Sequence, residues 1–287
     1  MSALLQLAPV LLALPLVAHS AHRIQDEGGL SGPPSADQAA LAGLFGKSGI
    51  HWDYSRQLCS IPAKVGVTSE LLEYLLVAPH GAAHESLLLT DIQPSLLNTA
   101  LLALGVEPGS NASWIPADPM PSEEELMAGA SPYALTLPQG DGFYPYVAWR
   151  EGEETYFYRL EDLLRNLASG RAMRRHRWVF LGSRMLPGRG SDADQEVFAA
   201  DMEGNLINVA FFAQGNTLLT PALDACMEQT IWMGNAWLLP PRESPVEFIL
   251  SRAPLETVPS GVRERLPLAV ALPASSPHGA GGIGGGR

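Results

Sequence analysis

The segment 84–109 combines a short apolar run with a helix pattern that has a defined end. Three consecutive leucines at residues 87–89 have the length and composition typical of a buried strand. Apolar residues then recur at the spacing of one helix face: Leu97, Ala100, Leu101 and Leu104. Pro94 is tolerated near the start, because the first N–H groups of a helix have no intrahelical partner, and Gly105 can close the last turn. The pattern predicts a helix whose leucine face packs onto a sheet containing residues 87–89.

The rest of the chain adds further strand patterns and a second helix pattern. Segments 50–54, 58–67 and 71–77 are alternating or apolar, and segments 144–149 and 155–158 form a predicted hairpin. Four leucines mark a second amphipathic helix: Leu160, Leu163, Leu164 and Leu167. We therefore predict an α+β fold, with a mixed, largely antiparallel sheet and two principal helices packed on one face.

Composition shifts divide the 287 residues into four regions. Residues 1–20 are predicted to form a signal peptide, and residues 21–48 a flexible spacer with a possible short helix at 37–45. Residues 49–252 form one predicted α+β domain. Residues 253–287 end in a run of glycines, which indicates a disordered Gly/Pro-rich tail.

The first residues have the pattern of a secretory signal. Residues 3–18 are almost wholly apolar, and Ala18 and Ser20 are small enough for the −3 and −1 positions of a cleavage site. The run lacks the usual preceding basic residue. An uncleaved membrane anchor is the alternative, but 16 residues interrupted by two prolines are short for a membrane span. We predict export to the periplasm or the extracellular space, with no transmembrane span after cleavage.

The charge of the chain limits its partners. The net charge is −12, from 18 basic and 30 acidic residues, which disfavours nucleic acid because nucleic-acid-binding surfaces are normally basic. Four arginines nevertheless cluster in the sequence: Arg171, Arg174, Arg175 and Arg177. They form either an anion-binding patch or a group of cations near the C-terminus of the predicted second helix, where the helix dipole favours positive charge. We favour the helix interpretation, since the chain as a whole is acidic.

The chain contains two cysteines, Cys59 and Cys226. An exported protein can join them in a disulfide, but two buried free thiols are equally compatible with the sequence. Two cysteines cannot supply a four-thiolate iron–sulfur cluster or a four-cysteine zinc site. We therefore argue against an iron–sulfur cluster and predict no cofactor.

Polar candidates for a functional site flank the predicted central strand: His80, His84, Glu85 and Asp91. Such residue types occur in metal and acid–base sites. However, two histidines four residues apart share one face only on a helix, and the proline and glycine beside His80 favour a turn. The alternative is a polar hairpin turn that bonds nearby backbone, and we favour it because the spacing identifies no third ligand. The metal, if one binds, is unknown.

We consider two functions for this chain. The first is a non-catalytic envelope module that binds a protein or a wall component, and the lack of a recognisable catalytic pattern motivates it. The second is a metal-dependent enzyme or metal-binding protein centred on His84 and Glu85, with His80, His51 or His176 as a further ligand. We prefer the first function.

Two tryptophans suggest a third function. Trp232 and Trp237 flank Asn235, and their flat rings are suited to stacking on sugars, so a saccharide-binding domain is an alternative. Burial of both rings in the core is the competing interpretation, and we favour it.

Several segments together resemble the YdjY-domain family of bacterial exported or envelope proteins. They are LEYLLVAPHGAAHESLLLTDIQPSLLNTALLALGVEPG, RWVFLGSR, EVFAADMEGNLINVAFF and LLPPRESPVEFIL, and they span residues 50–251. Family members typically carry a Lys before the His-Glu pair and a Cys in the preceding strand, where this chain has Ala82-Ala83 and Val77. The function of the family is unknown, so the resemblance implies domain limits and export. Some members have been labelled ferredoxin-like, which the cysteine count argues against here.

Overall fold

The computed structural model describes residues 35–188 and 195–269. The first half of the described chain contains these elements: α1 Ala36–Lys47, β1 His51–Asp53, β2 Leu58–Val65, β3 Tyr74–Val77, β4 Ser86–Leu89, α2 Pro94–Leu102, β5 Ser113–Pro116, α3 Glu123–Met127, β6 Tyr133–Thr136 and β7 Gly142–Glu151. The second half contains the following: β8 Glu154–Arg159, β9 Leu164–Asn166, β10 Trp178–Phe180, β11 Met185–Pro187, β12 Glu196–Phe198, α4 Ala199–Glu203, β13 Asn205–Asn208, β14 Leu219–Thr220, β15 Trp232–Gly234, β16 Pro245–Ser251 and α5 Ser260–Arg263.

Eight strands form a closed barrel. Their order is β2-β16-β7-β10-β14-β13-β3-β4, and β4 returns to pair with β2. That closing pair is antiparallel, with Lys64 opposite Leu89 and Val65 opposite Leu88. Only the β3–β4 and β13–β14 pairs of the barrel are parallel. Two extra strands extend it, since β1 pairs with β2 and β8 pairs with β7.

The predicted sheet with two principal helices on one face is wrong, because the strands close on themselves and the helices are short. The first helix is confirmed as α2, whose apolar face is buried as predicted. The second is absent: Leu160–Leu163 is a single 3-10 turn that leads into β9. Glu161 would lie on the solvated face of an amphipathic helix, but here it is fully buried and bonds Arg159 and Trp178.

The side chains of the barrel strands alternate between an inner and an outer cluster, as the two-residue period of a strand requires. On β16, Phe248 and its inward neighbours belong to the main core, whereas Ile249 belongs to a second cluster on the outside. Val258, Val262 and Leu266 cover this outer cluster. The barrel is therefore a packed core with a second apolar layer on one side.

Ordered chain extends beyond both predicted ends of the domain. Helix α1 lies within the segment predicted as a spacer, and its Phe45 is buried 5.7 Å from the ring of Trp52. Residues 253–269, assigned to a tail in the sequence analysis, supply the cover of the outer cluster. The predicted signal peptide and residues 270–287 lie outside the described residues. Among the helices that are described, none has the length and apolarity needed to cross a membrane.

Both cysteines are free and buried. Of the two arrangements left open by the sequence, the structure has the pair of separate thiols. Burial raises the pKa of both thiols well above the usual range, so neither is a reactive thiolate at neutral pH.

A buried carboxylate lies on the outward face of β16. Glu247 is 3% exposed and accepts a hydrogen bond of 2.5 Å from Ser60 Oγ, and Arg265 Nε lies 3.8 Å from it. Burial raises the pKa of Glu247, and the Ser60 hydrogen bond and the Arg265 charge oppose this only in part. Glu247 therefore makes the stability of the protein depend on pH.

Glu247→Gln should remove part of that pH dependence. Because the folded-state pKa lies above the unfolded-state value, the contribution of Glu247 is greatest below the unfolded pKa and is lost as pH rises through the folded pKa. Glutamine stays neutral, so the variant should gain stability relative to the wild type as the pH rises from about 4 to about 8. Urea unfolding across that range measures the difference. Glu256→Gln, at an exposed position, is the control, and equal pH profiles for the two variants would contradict the prediction.

Candidate functional site

The turn after β3 carries three of the four polar residues selected from the sequence. His80 is exposed, and its Nε2 lies 2.9 Å from the backbone oxygen of Asp201, to which it donates. The side chain of His84 is 83% exposed, and its Nε2 lies 3.7 Å from Glu85 Oε1. An exposed pair of this kind contributes little free energy. His80 therefore bonds backbone, as expected of a polar turn, whereas His84 and Glu85 contact each other on the 3-10 turn Ala83–Glu85.

Asp91 and the two more distant histidines lie elsewhere. Asp91 lines a separate, small pocket of about 140 Å³ beside Lys64. His51 is at the start of β1, and His176 lies 3.7 Å from Glu161. Within residues 35–188 and 195–269, no three His, Cys, Asp or Glu side chains are grouped so that they could hold a metal ion. The metal hypothesis therefore lacks a ligand set in this part of the chain.

The two tryptophans of the saccharide hypothesis do not form one surface. Trp232 is 2% exposed and belongs to the main core, whereas Trp237 is 92% exposed. The expected burial thus holds for Trp232 alone. Stacking of a sugar needs at least one accessible aromatic ring face with polar groups beside it. The structure has such a ring face away from both tryptophans, at Tyr74 and Phe212.

That place is a polar pocket of about 360 Å³ beside the β3–β13 pair. The residues that line it come from β3, from α4 and β13, and from the connection between β13 and β14: Tyr74, Glu203, Asn205, Phe212, Gln214, Asn216 and Thr217. Its volume is within the range of about 300–1,000 Å³ typical of small-molecule sites. The pocket therefore has the size of a small-molecule site and also presents aromatic rings.

Two aromatic rings form the apolar part of the pocket. Tyr74 begins β3, and Phe212 follows β13. Their ring centroids are 5.1 Å apart with an interplanar angle of 7°, so the rings are stacked. Both side chains are partly exposed, which leaves aromatic surface accessible to a ligand.

Amide and carboxylate groups form the polar part. Asn216 Nδ2 donates to Glu203 Oε1 at 2.6 Å, and Asn216 Oδ1 accepts from Arg184 Nε at 2.7 Å. The exposed amide of Gln214 extends the same edge. An amide both donates and accepts hydrogen bonds, whereas an ionised carboxylate accepts only. The pocket can therefore satisfy a ligand that carries hydroxyl or amide groups.

The turn that carries the predicted residues packs against Gly204 and Asn205, next to the pocket. Asn205 Oδ1 accepts a hydrogen bond of 3.0 Å from the backbone N–H of Ala82. Gly81 and Gly204 pack so closely that a Cβ on Gly81 would lie 2.5 Å from the carbonyl oxygen of Gly204. Gly204 also has a φ of 72°, which a glycine adopts without strain. The sequence analysis thus selected a neighbour of the site rather than its lining.

A buried hydrogen-bond network holds the floor of the pocket. Thr217 Oγ1 donates to Asn208 Oδ1 at 2.7 Å, and Asn208 Nδ2 donates to Thr220 Oγ1 at 2.9 Å and to the carbonyl oxygen of Ala210. All three side chains are at most 5% exposed. Because a buried polar group is costly unless it is bonded, this network fixes the course of the chain between β13 and β14.

The electrostatic environment of the pocket is acidic. Burial, as the largest cause, and the negative charges of Glu73, Glu203 and Glu85 together raise the pKa of Tyr74 to about 12, although a hydrogen bond from Asn205 opposes the shift. Burial also raises the pKa of Glu73, again with a contribution from Glu85. At neutral pH the Tyr74 hydroxyl is therefore protonated and acts as a hydrogen-bond donor. The surrounding carboxylates disfavour an anionic ligand.

Local sequence patterns gave only a weak indication of these residues. The segment from Phe211 to Asn216 places two aromatics, a glutamine and a Gly-Asn pair together, and a second Gly-Asn pair occurs at residues 204–205. Neither pair was predicted to belong to a functional site. The resemblance to the YdjY-domain family stays a prediction. Comparison with protein-family models, with curated proteins and with solved structures finds no match to this chain.

Proposed function

We propose that this protein is a non-catalytic binding module whose ligand is a neutral, hydroxyl-bearing or acetamido-bearing glycan. The observation that carries the proposal is the pocket in which the stacked rings of Tyr74 and Phe212 adjoin the amides of Asn205, Gln214 and Asn216. The faces of a sugar ring carry C–H groups that pack on aromatic rings, and its hydroxyl groups need both donors and acceptors. This pocket offers both.

The charges of the site favour binding of a neutral ligand over chemistry on it. The raised pKa of Tyr74 keeps its hydroxyl protonated at neutral pH, so it cannot act as a base there. The carboxylates around the pocket would repel uronic acids and phosphorylated sugars. A wall glycan as ligand also agrees with the export that residues 1–20 predict.

Binding of oligosaccharides to the purified protein tests the proposal. Isothermal titration calorimetry with chitotriose, maltotriose and trigalacturonate compares an acetamido sugar, a neutral sugar and an anionic sugar. We expect at least one of the two neutral sugars to bind and the anionic sugar not to bind. Absence of binding by both neutral sugars at millimolar concentration, or preferential binding of trigalacturonate, would reject the proposal.

Variants locate the binding to this pocket. Phe212→Ala and Gln214→Ala should each weaken binding by about tenfold or more, since each removes a ligand contact worth about 1.4 kcal/mol. Gln214 is exposed, so its replacement should leave thermal unfolding unchanged. Trp237→Ala is the matched control, because Trp237 is an exposed aromatic outside the pocket. An equal loss of affinity in the Trp237 variant would place the sugar elsewhere and contradict the assignment.

A further inference from the structure

A hairpin arm extends from the barrel between α2 and β7. The arm comprises residues 113–136, in which β5 pairs with β6 and α3 connects them. Its base is closed by two backbone hydrogen bonds between Ser110 and Gln139, of 2.8 and 3.1 Å. The two strands form a sheet of their own, separate from the barrel.

The arm exposes an unusual share of the large apolar side chains. Six of the fifteen exposed large hydrophobic residues of the described chain lie in it: Trp114, Ile115, Met120, Leu126, Met127 and Tyr133. Met127 is 90% exposed. A two-stranded hairpin is marginally stable in water unless something packs on it, and an exposed group of apolar side chains marks an interaction surface. The arm is thus suited to being covered by a partner.

The charge of the arm indicates what kind of surface covers it. Residues 113–136 contain four acidic residues and no Lys, Arg or His. Glu123 and Glu124 begin α3 and are exposed beside the apolar side chains. A complementary surface therefore combines an apolar area with positive charge.

This chain itself provides such a surface beside the base of the arm. We call Arg171, Arg174 and Arg177 the arginine patch; all three are exposed. The element before the patch is β9, not a helix, so the helix-dipole explanation considered from the sequence does not apply. Arg177 donates to the carbonyl oxygen of Gly140 at 2.8 Å, which places this end of the patch directly beside the base of the arm. Leu167, 41% exposed, adds apolar area.

The arginines of the patch have no carboxylate partner within residues 35–188 and 195–269. Their neighbour Arg175 differs, since it pairs with Asp162 at 2.6 Å. In an acidic chain, three unpaired arginines beside one another repel each other and favour an anionic partner. The acidic arm of another molecule supplies that charge.

We propose that two copies of this protein form a symmetric dimer by exchanging arms, each acidic apolar arm lying on the arginine patch of the other copy. Because the arm and the arginine patch adjoin on one molecule, a two-fold axis between the copies places each arm on the patch of the other copy at the same time. A closed isologous interface requires this arrangement. This inference is independent of the proposed glycan site, and either can fail without the other.

Sedimentation equilibrium of the wild type and of charge-reversed variants tests the exchange. The wild type should dimerise, and the dissociation constant should rise when NaCl increases from about 50 mM to about 500 mM, because salt screens the charge pairs. The arm variant Glu123→Arg/Glu124→Arg and the patch variant Arg171→Glu/Arg174→Glu should each raise the dissociation constant at least tenfold, since both now place like charges together.

Mixing the two variants gives the sharpest result. In a one-to-one mixture the basic arm of one variant meets the acidic patch of the other, and both contacts of the dimer are restored. The mixture should therefore regain the dimer that each variant lacks alone. Glu153→Arg/Glu256→Arg, which makes the same net charge change as the arm variant at exposed positions outside the arm and the patch, should dimerise like the wild type. A monomeric wild type, or a mixture that stays monomeric, would overturn the proposal and leave the arm for a different partner.

Discussion

Glu161→Gln is expected to lower the free energy of unfolding by about 3–5 kcal/mol, the usual cost of breaking a buried ion pair. Glu161 is fully buried, and its oxygens accept hydrogen bonds from Arg159 at 2.6 and 3.0 Å and from Trp178 Nε1 at 3.1 Å. The neutral amide leaves the Arg159 guanidinium, whose side chain is 12% exposed, without a compensating charge. Urea unfolding at pH 7 measures the loss.

The next residue provides a control with the same chemistry and different burial. Asp162 accepts two hydrogen bonds from Arg175, of 3.0 and 2.6 Å, so the geometry matches that of the Glu161 pair. The side chain of Arg175 is 62% exposed, and an exposed pair contributes about 1 kcal/mol or less. Asp162→Asn should therefore cost about 1 kcal/mol at most, and equal losses for the two variants would contradict the role given to burial.

A double variant separates the cost of an unpaired charge from the value of the pair itself. Arg159→Met/Glu161→Gln removes both charges and keeps an amide oxygen that can accept from Trp178 Nε1. Its stability should lie well above that of Glu161→Gln, because replacing a whole buried pair is often neutral or stabilising.

The sequence predicted those elements that depend on nearby residues alone. Strand β4 and helix α2 were both predicted, since a leucine run and a leucine stripe are local patterns with few alternatives. The hairpin of β7 and β8 was predicted for the same reason around Glu151 and Gly152, and its turn lies at Gly152 and Glu153. Each of these elements is set within about 20 residues of chain.

The failures share one physical cause, which is that contacts distant in sequence decide the structure. The leucine spacing at residues 160–167 satisfies a helix pattern, but the buried hydrogen bond from Trp178 to Glu161 and the pairing of β9 with β15 override it. Likewise, no local pattern reports that β2 pairs with β4 and closes the sheet. The lining of the candidate pocket comes from residues 74 and 203–217, so the sequence revealed only the supporting turn.

Gly66→Ala should lower the free energy of unfolding by about 1–3 kcal/mol, because it forces atoms into the closing seam of the barrel. Gly66 follows β2, and its N–H donates to the carbonyl oxygen of Leu87 at 2.7 Å. A Cβ at this position would lie 2.5 Å from the carbonyl oxygen of Ser86, and these are backbone atoms that cannot turn away as a side chain can. The variant therefore separates β2 from β4 or shifts one of them.

A second glycine supplies the opposite expectation from the same substitution. Gly43 lies within α1, and a Cβ there would meet no atom within 4 Å. Gly43→Ala should therefore raise stability by about 0.5–1 kcal/mol, the usual gain in a helix interior.

Amide hydrogen exchange adds a local measurement for Gly66→Ala. Loosening of the seam between β2 and β4 should speed exchange at residue 66 and at Val67, whose N–H groups bond across the seam. If Gly66→Ala is as stable as the wild type and leaves exchange there unchanged, β2 and β4 do not close the barrel, and the strands form an open sheet instead.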